Sequence, residues 1–181
     1  PGIGVKTGKK IMAVAGDHIA HLKRHAIHPH TPILGVHLGQ AASTPQFVRA
    51  VQALKHDQSK VYAHHMDVLG TIARHACIAW ETHDSDALIA YCVENNRTLH
   101  ALGQRAKVDI IPPRLEALNT ALAAVNTVAK TTGAGGGDMA WVVCKDPAHA
   151  TEIEHLLSAD WSVHTLQVAP VSVRRQSEQV Q

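Results

Sequence analysis

Residues 130–144 read KTTGAGGGDMAWVVC, a glycine-rich run that leads into an apolar segment. Four of the five residues at 133–137 are glycine, so the backbone can adopt positive φ and a ligand can approach the main chain closely. Successive N–H groups in such a loop can converge on an anion. We therefore predict a phosphate-binding loop that ends at Asp138 and is followed by a strand over 139–144.

The elements expected around the glycines distinguish this loop from the commoner phosphate motifs. A P-loop ends in Gly-Lys-Ser/Thr and opens a helix, whereas these glycines end in Asp138 and lead into a strand. The dinucleotide fingerprint needs a strand before its glycines and a helix after them, which is the reverse of the expected order. The alternative is an ordinary flexible turn. The lysine, two threonines and terminal aspartate in the run favour a ligand site over a plain linker.

The length and composition indicate one globular domain, or one and a fragment of another, with an aliphatic core. The chain has 181 residues, of which 45% are hydrophobic and only 3% aromatic. Its formal charge of +2 is too small to indicate nucleic-acid binding, and few aromatics are present to stack on bases. We therefore expect no nucleic-acid partner.

The three cysteines, Cys77, Cys92 and Cys144, are widely spaced and fit no zinc or thioredoxin motif. Each lies in an apolar context that is typical of a buried free thiol, which indicates a reducing, cytoplasmic compartment. No apolar run has the length of a membrane span and no secretory signal is present, so we expect no membrane partner.

Histidine is unusually frequent, with 15 residues. Five of them crowd one short stretch: His18, His21, His25, His28 and His30. Imidazoles spaced three or four residues apart on a helix can bind a metal, which would make this a histidine-rich metal-binding protein. Apart from Asp17, however, no cysteine or carboxylate completes a ligand set there. We favour structural or surface histidines and assign no metal site.

The hydrophobic periodicity predicts an α+β fold. We expect strands at 11–15, 32–37, 139–144 and 163–168, and a short extended piece at 108–111. Five helices are expected to begin near residues 44, 58, 85, 113 and 147. Long helices between strands favour an antiparallel sheet of about four strands covered by helices.

The first helix has a clear start signal in Ser43-Thr44-Pro45. Thr44 is predicted as its N-cap and Pro45 as its first residue, where a missing N–H costs nothing. Capping is the favoured role for Ser43 and Thr44. Hydrogen bonding to a substrate at the helix N-terminus is the alternative.

Two segments resemble one enzyme superfamily. Residues 131–138 resemble the third signature loop of the GHMP small-molecule kinases, and the Asp138 ending is most similar to the phosphomevalonate kinase branch. Residues 34–44 resemble the strand-turn-helix segment of phosphomevalonate kinases, with His37 in place of the usual tryptophan.

The resemblance implies a ferredoxin-like arrangement of the strands and the C-terminal half of an ATP-dependent kinase of the mevalonate pathway of isoprenoid biosynthesis. It implies ATP and Mg²⁺ as cofactors and a small phosphorylated substrate. On this basis residues 32–175 form the GHMP kinase C-terminal-like domain. Residues 1–31 are a remnant or linker from a preceding N-terminal domain, and residues 176–181 are a frayed tail.

Nothing in the sequence matches the serine-rich nucleotide loop that these kinases carry in their N-terminal half, and no catalytic residue is assigned. We therefore expect the chain to be inactive alone and to need the missing N-terminal half as a partner. The alternative is a non-catalytic ligand-binding or interaction domain that keeps the GHMP fold.

The candidate site follows from the loop and its neighbours. Thr132 would add a hydroxyl donor and Lys130 a positive charge. Asp138 would orient the loop, approach Mg²⁺ or simply cap the start of the strand. The predicted phosphate-binding residues are Thr132, Gly133, Ala134, Gly135, Gly136, Gly137 and Asp138, and Ser43, Thr44 and Lys130 are the secondary, substrate-binding candidates.

Overall fold

The structure, a computed structural model, describes residues 32–39, 43–133 and 135–166. Over these residues the chain forms four strands and five α-helices. In chain order they are β1 (Ile33–His37), α1 (Thr44–Asp57), α2 (Ser59–Glu81), α3 (Ser85–Ala106), α4 (Pro113–Leu122), β2 (Ala129–Thr131), β3 (Met139–Val143), α5 (Pro147–Leu157) and β4 (Ser162–Leu166). A 3₁₀ turn at Ala123–Val125 extends α4.

The four strands form one antiparallel sheet in the order β2-β3-β1-β4. The central strand β1 pairs on both sides, with Val36 opposite Ala140 of β3 and Val163 of β4. In chain order the elements are a strand, a helical segment, a β-hairpin, a helix and a final strand. This succession, with the spatial order β2-β3-β1-β4, is the split βαβ arrangement of ferredoxin-like folds. The α+β prediction is confirmed, with four helices in the first crossover.

One face of the sheet carries the main core. Alternate residues of a strand point to the same face, so Leu34 and Val36 of β1 face α4 and α5 together with their partners on β3. The leucines of α4 follow a helical three- and four-residue spacing, which places them all on the sheet side. The fully buried members include Leu115, Leu118, Leu122, Val142, Ile153 and Leu157.

The helices α1, α2 and α3 form a second layer. Ala79 of α2 and Cys92 of α3 pack with Val143, which points to the opposite sheet face from Val142. Farther from the sheet, Leu54, Leu102 and Ile110 form a small core between these helices and the α3–α4 connection. Through Ile110, the α3–α4 connection thus packs against the helical layer.

The helix starts are explained by local chemistry. Asp84 and Asp146 cap α3 and α5, accepting hydrogen bonds from the backbone N–H groups three residues later. The prediction that Thr44 is the N-cap of α1 is wrong by one residue. Ser43 is the N-cap and Thr44 the first helical residue, and the Ser43 hydroxyl makes no capping hydrogen bond.

Two strand predictions differ from the structure. The strand β2 was not predicted, and residues 108–111, predicted to be extended, form bends without strand pairing. The backbone of β2 is satisfied from distant helices, because Ala129 accepts from the Asn96 side chain and donates to the Asn119 side chain. Such long-range partners leave no local sequence pattern. The predicted strand at 11–15 lies outside the described residues, as do residues 1–31 and 176–181.

Two side-chain predictions are also wrong. The apolar residues of the fifth helix predict that Ile153, Leu156 and Leu157 are all buried, but 39% of Leu156 is exposed, because Ile153 and Leu157 occupy the inner face of α5. Cys77 was predicted as a buried thiol and is exposed on α2, whereas Cys92 and Cys144 are buried as predicted. Within the described part of the chain, no helix is both long and apolar enough to cross a membrane.

At least one histidine has the structural role that the sequence favours. The His149 ring is buried, with Nδ1 accepting from the Lys145 N–H at 3.1 Å and Nε2 lying 2.8 Å from the Val125 carbonyl. Because Nδ1 accepts, Nε2 carries the proton and donates. The predicted histidine cluster at 18–30 lies outside the described residues.

The burial of two cysteines predicts a selective thiol reactivity. Burial raises the pKa of the Cys92 thiol to about 11 and that of Cys144 to about 12, so both remain protonated at pH 8. A thiol-titrating disulfide reagent at pH 8 should therefore modify Cys77 rapidly and the other two only after denaturation. Rapid reaction of the Cys77→Ser variant in the folded state would contradict the buried positions.

Candidate functional site

The glycine-rich run is the loop of the hairpin between β2 and β3. It lies at the end of the sheet where β1 ends and the connection to α1 begins. The Leu38 N–H donates to the Asp138 carbonyl at 2.6 Å, which continues the β1–β3 pairing beyond His37. The loop and the end of β1 therefore lie at the same edge of the sheet.

Two glycines of the loop adopt the left-handed conformation. Gly135 has φ +96° and Gly136 has φ +57°, and both are buried. Residues other than glycine rarely adopt such angles, because Cβ then approaches the carbonyl oxygen. The sequence prediction that glycine is needed here for backbone freedom is confirmed at these two positions.

Close packing is a second reason for glycine at both positions. A Cβ atom on Gly135 would lie 2.5 Å from both Cγ2 and the carbonyl oxygen of Ile110. A Cβ on Gly136 would overlap the ring of Phe47 on α1. The Gly136 N–H donates to the Ile110 carbonyl at 2.8 Å, which holds the loop against the α3–α4 connection.

Because Phe47 belongs to the first turns of α1, its contact with Gly136 brings the start of α1 beside the loop. The Ser43 carbonyl accepts from the N–H groups of Gln46 and Phe47. The Thr44 N–H has no partner among the described residues, and both Ser43 and Thr44 are exposed. The two secondary site candidates thus lie at an uncapped helix N-terminus next to the loop.

The predicted phosphate-binding residues differ in whether their donor groups are already used inside the protein. Gly136 uses its N–H inside the protein, whereas the N–H groups of Gly133, Gly135 and Gly137 have no protein acceptor within the described residues. Ala134 lies outside those residues. The Thr132 N–H and hydroxyl both donate to the Met139 carbonyl, at 3.3 Å and 3.2 Å, so the hydroxyl proton is already engaged.

Asp138 is exposed, and its carbonyl rather than its carboxylate holds the loop in place. Within the described residues the carboxylate accepts no hydrogen bond. Among the described residues, no contact of this carboxylate therefore supports its predicted role in orienting the loop.

Lys130 occupies a different environment from the loop. Burial, partly opposed by Cys92, lowers the pKa of its ammonium group, which donates to the Thr131 carbonyl at 3.4 Å. Lys130 lies opposite Trp141, on the sheet face that α2 and α3 cover. Its charge is thus held beneath the helices next to Cys92.

The two walls of this site and the burial of Thr131 had no local sequence signal. Phe47 and Ile110 form the walls against which Gly136 and Gly135 pack, but their periodicity marked them only as apolar. Thr131, on the strand that was not predicted, has a buried hydroxyl with no hydrogen-bond partner within the described residues. This orphaned hydroxyl lies directly before the loop.

The described residues, 32–39, 43–133 and 135–166, contain no group of three His, Cys, Asp or Glu side chains that could hold a metal ion. Proteins commonly hold Mg²⁺ through one or two carboxylates together with substrate phosphates. Asp138, an exposed carboxylate on the loop, fits a single ligand of that kind and not a complete protein cage.

The packing of the loop predicts a large difference between two of its glycines. Gly136→Ala should destabilise the protein by at least about 2 kcal/mol, from left-handed strain and from overlap with Phe47. Gly133→Ala is the matched control, since an added Cβ there meets nothing within 4 Å, and its effect should stay within about 0.5 kcal/mol. Urea unfolding followed by circular dichroism measures both.

A second variant separates the two causes. In a Phe47→Leu background the ring is removed, so the cost of Gly136→Ala should fall toward the strain alone, about 1 kcal/mol. Equal costs of Gly136→Ala and Gly133→Ala would show that the loop does not pack as described.

A protein-family model and several solved structures resemble this chain. Residues 74–163 match the family model described as GHMP kinases C terminal. Among solved structures, the Lin0012 protein from Listeria innocua aligns with a TM-score of 0.70 at 23% identity, covering 88% of this chain and 48% of that one. No curated protein matches the chain by sequence.

Two further solved structures are kinases. The L. major mevalonate kinase in complex with R-mevalonate has a TM-score of 0.66 at 22% identity, covering 80% of this chain and 45% of that one. The Streptococcus pneumoniae phosphomevalonate kinase in complex with phosphomevalonate and AMPPNP has a TM-score of 0.63 at 19% identity, covering 87% and 49%.

At these identities the solved structures show a shared fold, and the chain spans about half of their length. The family model and the fold agree with the resemblance seen in the glycine loop. The chain therefore belongs, through residues 74–163, to the GHMP kinase C-terminal family.

Proposed function

We propose that this chain supplies the C-terminal half of an ATP-dependent small-molecule kinase that resembles phosphomevalonate kinase. The observation that carries the proposal is the packing of the glycine loop against the start of α1, through Gly136 and Phe47. The family match supports kinase chemistry. The coverage of about half of two solved kinases supports a half-enzyme.

In this proposal the phosphate lies between the loop and the helix. The N–H groups of Gly133, Gly135 and Gly137 have no acceptor among the described residues, and the Thr44 N–H lies at the start of a helix whose dipole favours an anion. Preorganised N–H donors stabilise phosphoryl oxygens without having to reorganise during transfer. Gly136 has a different task, which is to fix the loop against Ile110 and Phe47.

The proposed site has donors but little positive charge of its own. Lys130 is half-buried beside Cys92, and Asp138 adds a negative charge at the loop. Phosphoryl transfer requires that the charge on the transferring group be neutralised. In our proposal the N-terminal half supplies the nucleotide site and that neutralisation. Bound ATP would provide the phosphoryl group, with Mg²⁺ held by its phosphates and by Asp138.

The domain limits and the location of the protein belong to the same proposal. Residues 32–175 would form the C-terminal domain, with 1–31 joining it to the N-terminal half and 176–181 as a tail. Two buried free thiols, Cys92 and Cys144, suit the reducing conditions of the cytoplasm. The substrate would be a small phosphorylated molecule such as phosphomevalonate.

Gly133 offers a test that leaves the fold intact. Gly133→Val should place a branched side chain at the exposed mouth of the loop without a clash inside the protein. We expect it to weaken the binding of phosphomevalonate, measured by calorimetry, at least tenfold while the melting temperature is retained. Ala124→Val, also exposed but near the opposite end of β2, is the control. Equal affinities of both variants and the parent chain would exclude the loop as the phosphate site.

A second measurement tests the half-enzyme proposal. The 181-residue chain alone should show no ATP-dependent phosphorylation of mevalonate or phosphomevalonate above background in a coupled ADP-release assay, with a complete kinase as positive control. Turnover by the chain alone would show that the catalytic residues are already present within it.

A further inference from the structure

A basic cavity lies outside the glycine loop, between the first half of α2 and the last turns of α3. Its volume is about 500 Å³, within the range of small-molecule sites. The lining residues are Lys60, Val61, His64, His65, Ala101, Gln104 and Arg105.

The charges in this cavity have one sign. Lys60 and Arg105 are permanently cationic at neutral pH, His64 and His65 become so on protonation, and the lining includes no carboxylate. Lys60 and His64 are four residues apart on α2, so the two groups repel each other when both are charged. The acidic residues nearest in sequence on α1 and α2, Asp57 and Asp67, do not line the cavity.

The groups at the end of α1 do not add free negative charge to this lining. On α1, Asp57 is paired with His56 at 2.9 Å, and Lys55 adds a further cation above the ring of Tyr62 at 5.6 Å. Burial first, and then the charges of His64 and Arg105, lower the pKa of His65. Burial, and after it the neighbouring positive charge, therefore disfavours protonation of His65.

We propose that this cavity binds a small phosphate-bearing anion that carries at least two phosphoryl groups. The Arg105 guanidinium can bind phosphate oxygens through two parallel hydrogen bonds, Lys60 adds charge from the facing helix, and the two imidazoles can donate N–H hydrogen bonds. The Gln104 amide supplies a neutral donor. A polyanion matches four basic groups better than a single orthophosphate does. This site is separate from the loop and does not depend on the proposed kinase function.

Pyrophosphate is the probe for the test. In the full chain at constant ionic strength, the ring signals of His64 and His65 in NMR spectra should shift with saturation as pyrophosphate is added. Bound anion stabilises the protonated imidazole, so the pKa of His65 should rise relative to the free chain. Chloride at equal ionic strength should produce neither effect.

Variants test whether the basic residues of the lining themselves bind the anion. The double variant Lys60→Gln/Arg105→Gln should weaken pyrophosphate binding at least tenfold, whereas Lys55→Gln, a nearby cation outside the lining, should change it less than twofold. Both involve exposed side chains, and circular dichroism verifies folding. Gly133→Val should leave this binding unchanged, which separates the cavity from the loop. Absence of saturable shifts in the parent chain, or equal affinities of the double variant and Lys55→Gln, would overturn the proposal.

Discussion

The backbone of Gly135 and Gly136 lies so close to Ile110 and Phe47 that a side chain on either glycine would collide with them. This contact joins three parts of the chain that are distant in sequence: the β2–β3 hairpin, the start of α1 and the α3–α4 connection. The hydrogen bond from the Gly136 N–H to the Ile110 carbonyl fixes the same arrangement. The position of the candidate site depends on it, since without the contact the hairpin loop and the α1 N-terminus would have no fixed relation.

Because of this contact, the glycines of the loop have different roles. Gly136 is needed for the fold, because its N–H and its missing side chain are both used inside the protein. Gly133 is exposed and has open space around it, so it is available to a ligand. A glycine-rich loop can thus serve structure and binding at the same time through different residues. Substitutions at Gly135 or Gly136 would therefore confuse loss of fold with loss of ligand.

Much of the fold could be predicted because its signals are local. The leucine spacing of α4 and the Asp84 and Asp146 caps are readable within a few residues. The strand β2 could not be predicted in this way, because three residues carry no clear alternation and Asn96 and Asn119 satisfy its backbone from distant helices. Residues 108–111 have the composition of a strand, yet Ile110 is used to pack against Gly135 and the segment bends.

The need for glycine in the candidate loop could be predicted from the sequence, but the packing around the loop could not. Dense glycine predicted a backbone free to adopt positive φ, and Gly135 and Gly136 adopt it. Phosphate binding by the loop stays a prediction. Neither the burial of Lys130 beside Cys92 nor the capture of the Gly136 N–H by Ile110 had a local signal. Both depend on the tertiary arrangement of the helices around the hairpin.

Amide NMR spectra recorded during a titration with phosphomevalonate test whether the glycine loop and the start of α1 bind phosphate together. We expect the largest shifts at the N–H groups of Gly133, Gly135, Gly137 and Thr44. A small shift and slow hydrogen exchange are expected at the Gly136 N–H, which the Ile110 carbonyl already holds. Fast exchange at Gly136, or ligand shifts that avoid the loop and the start of α1, would contradict this prediction.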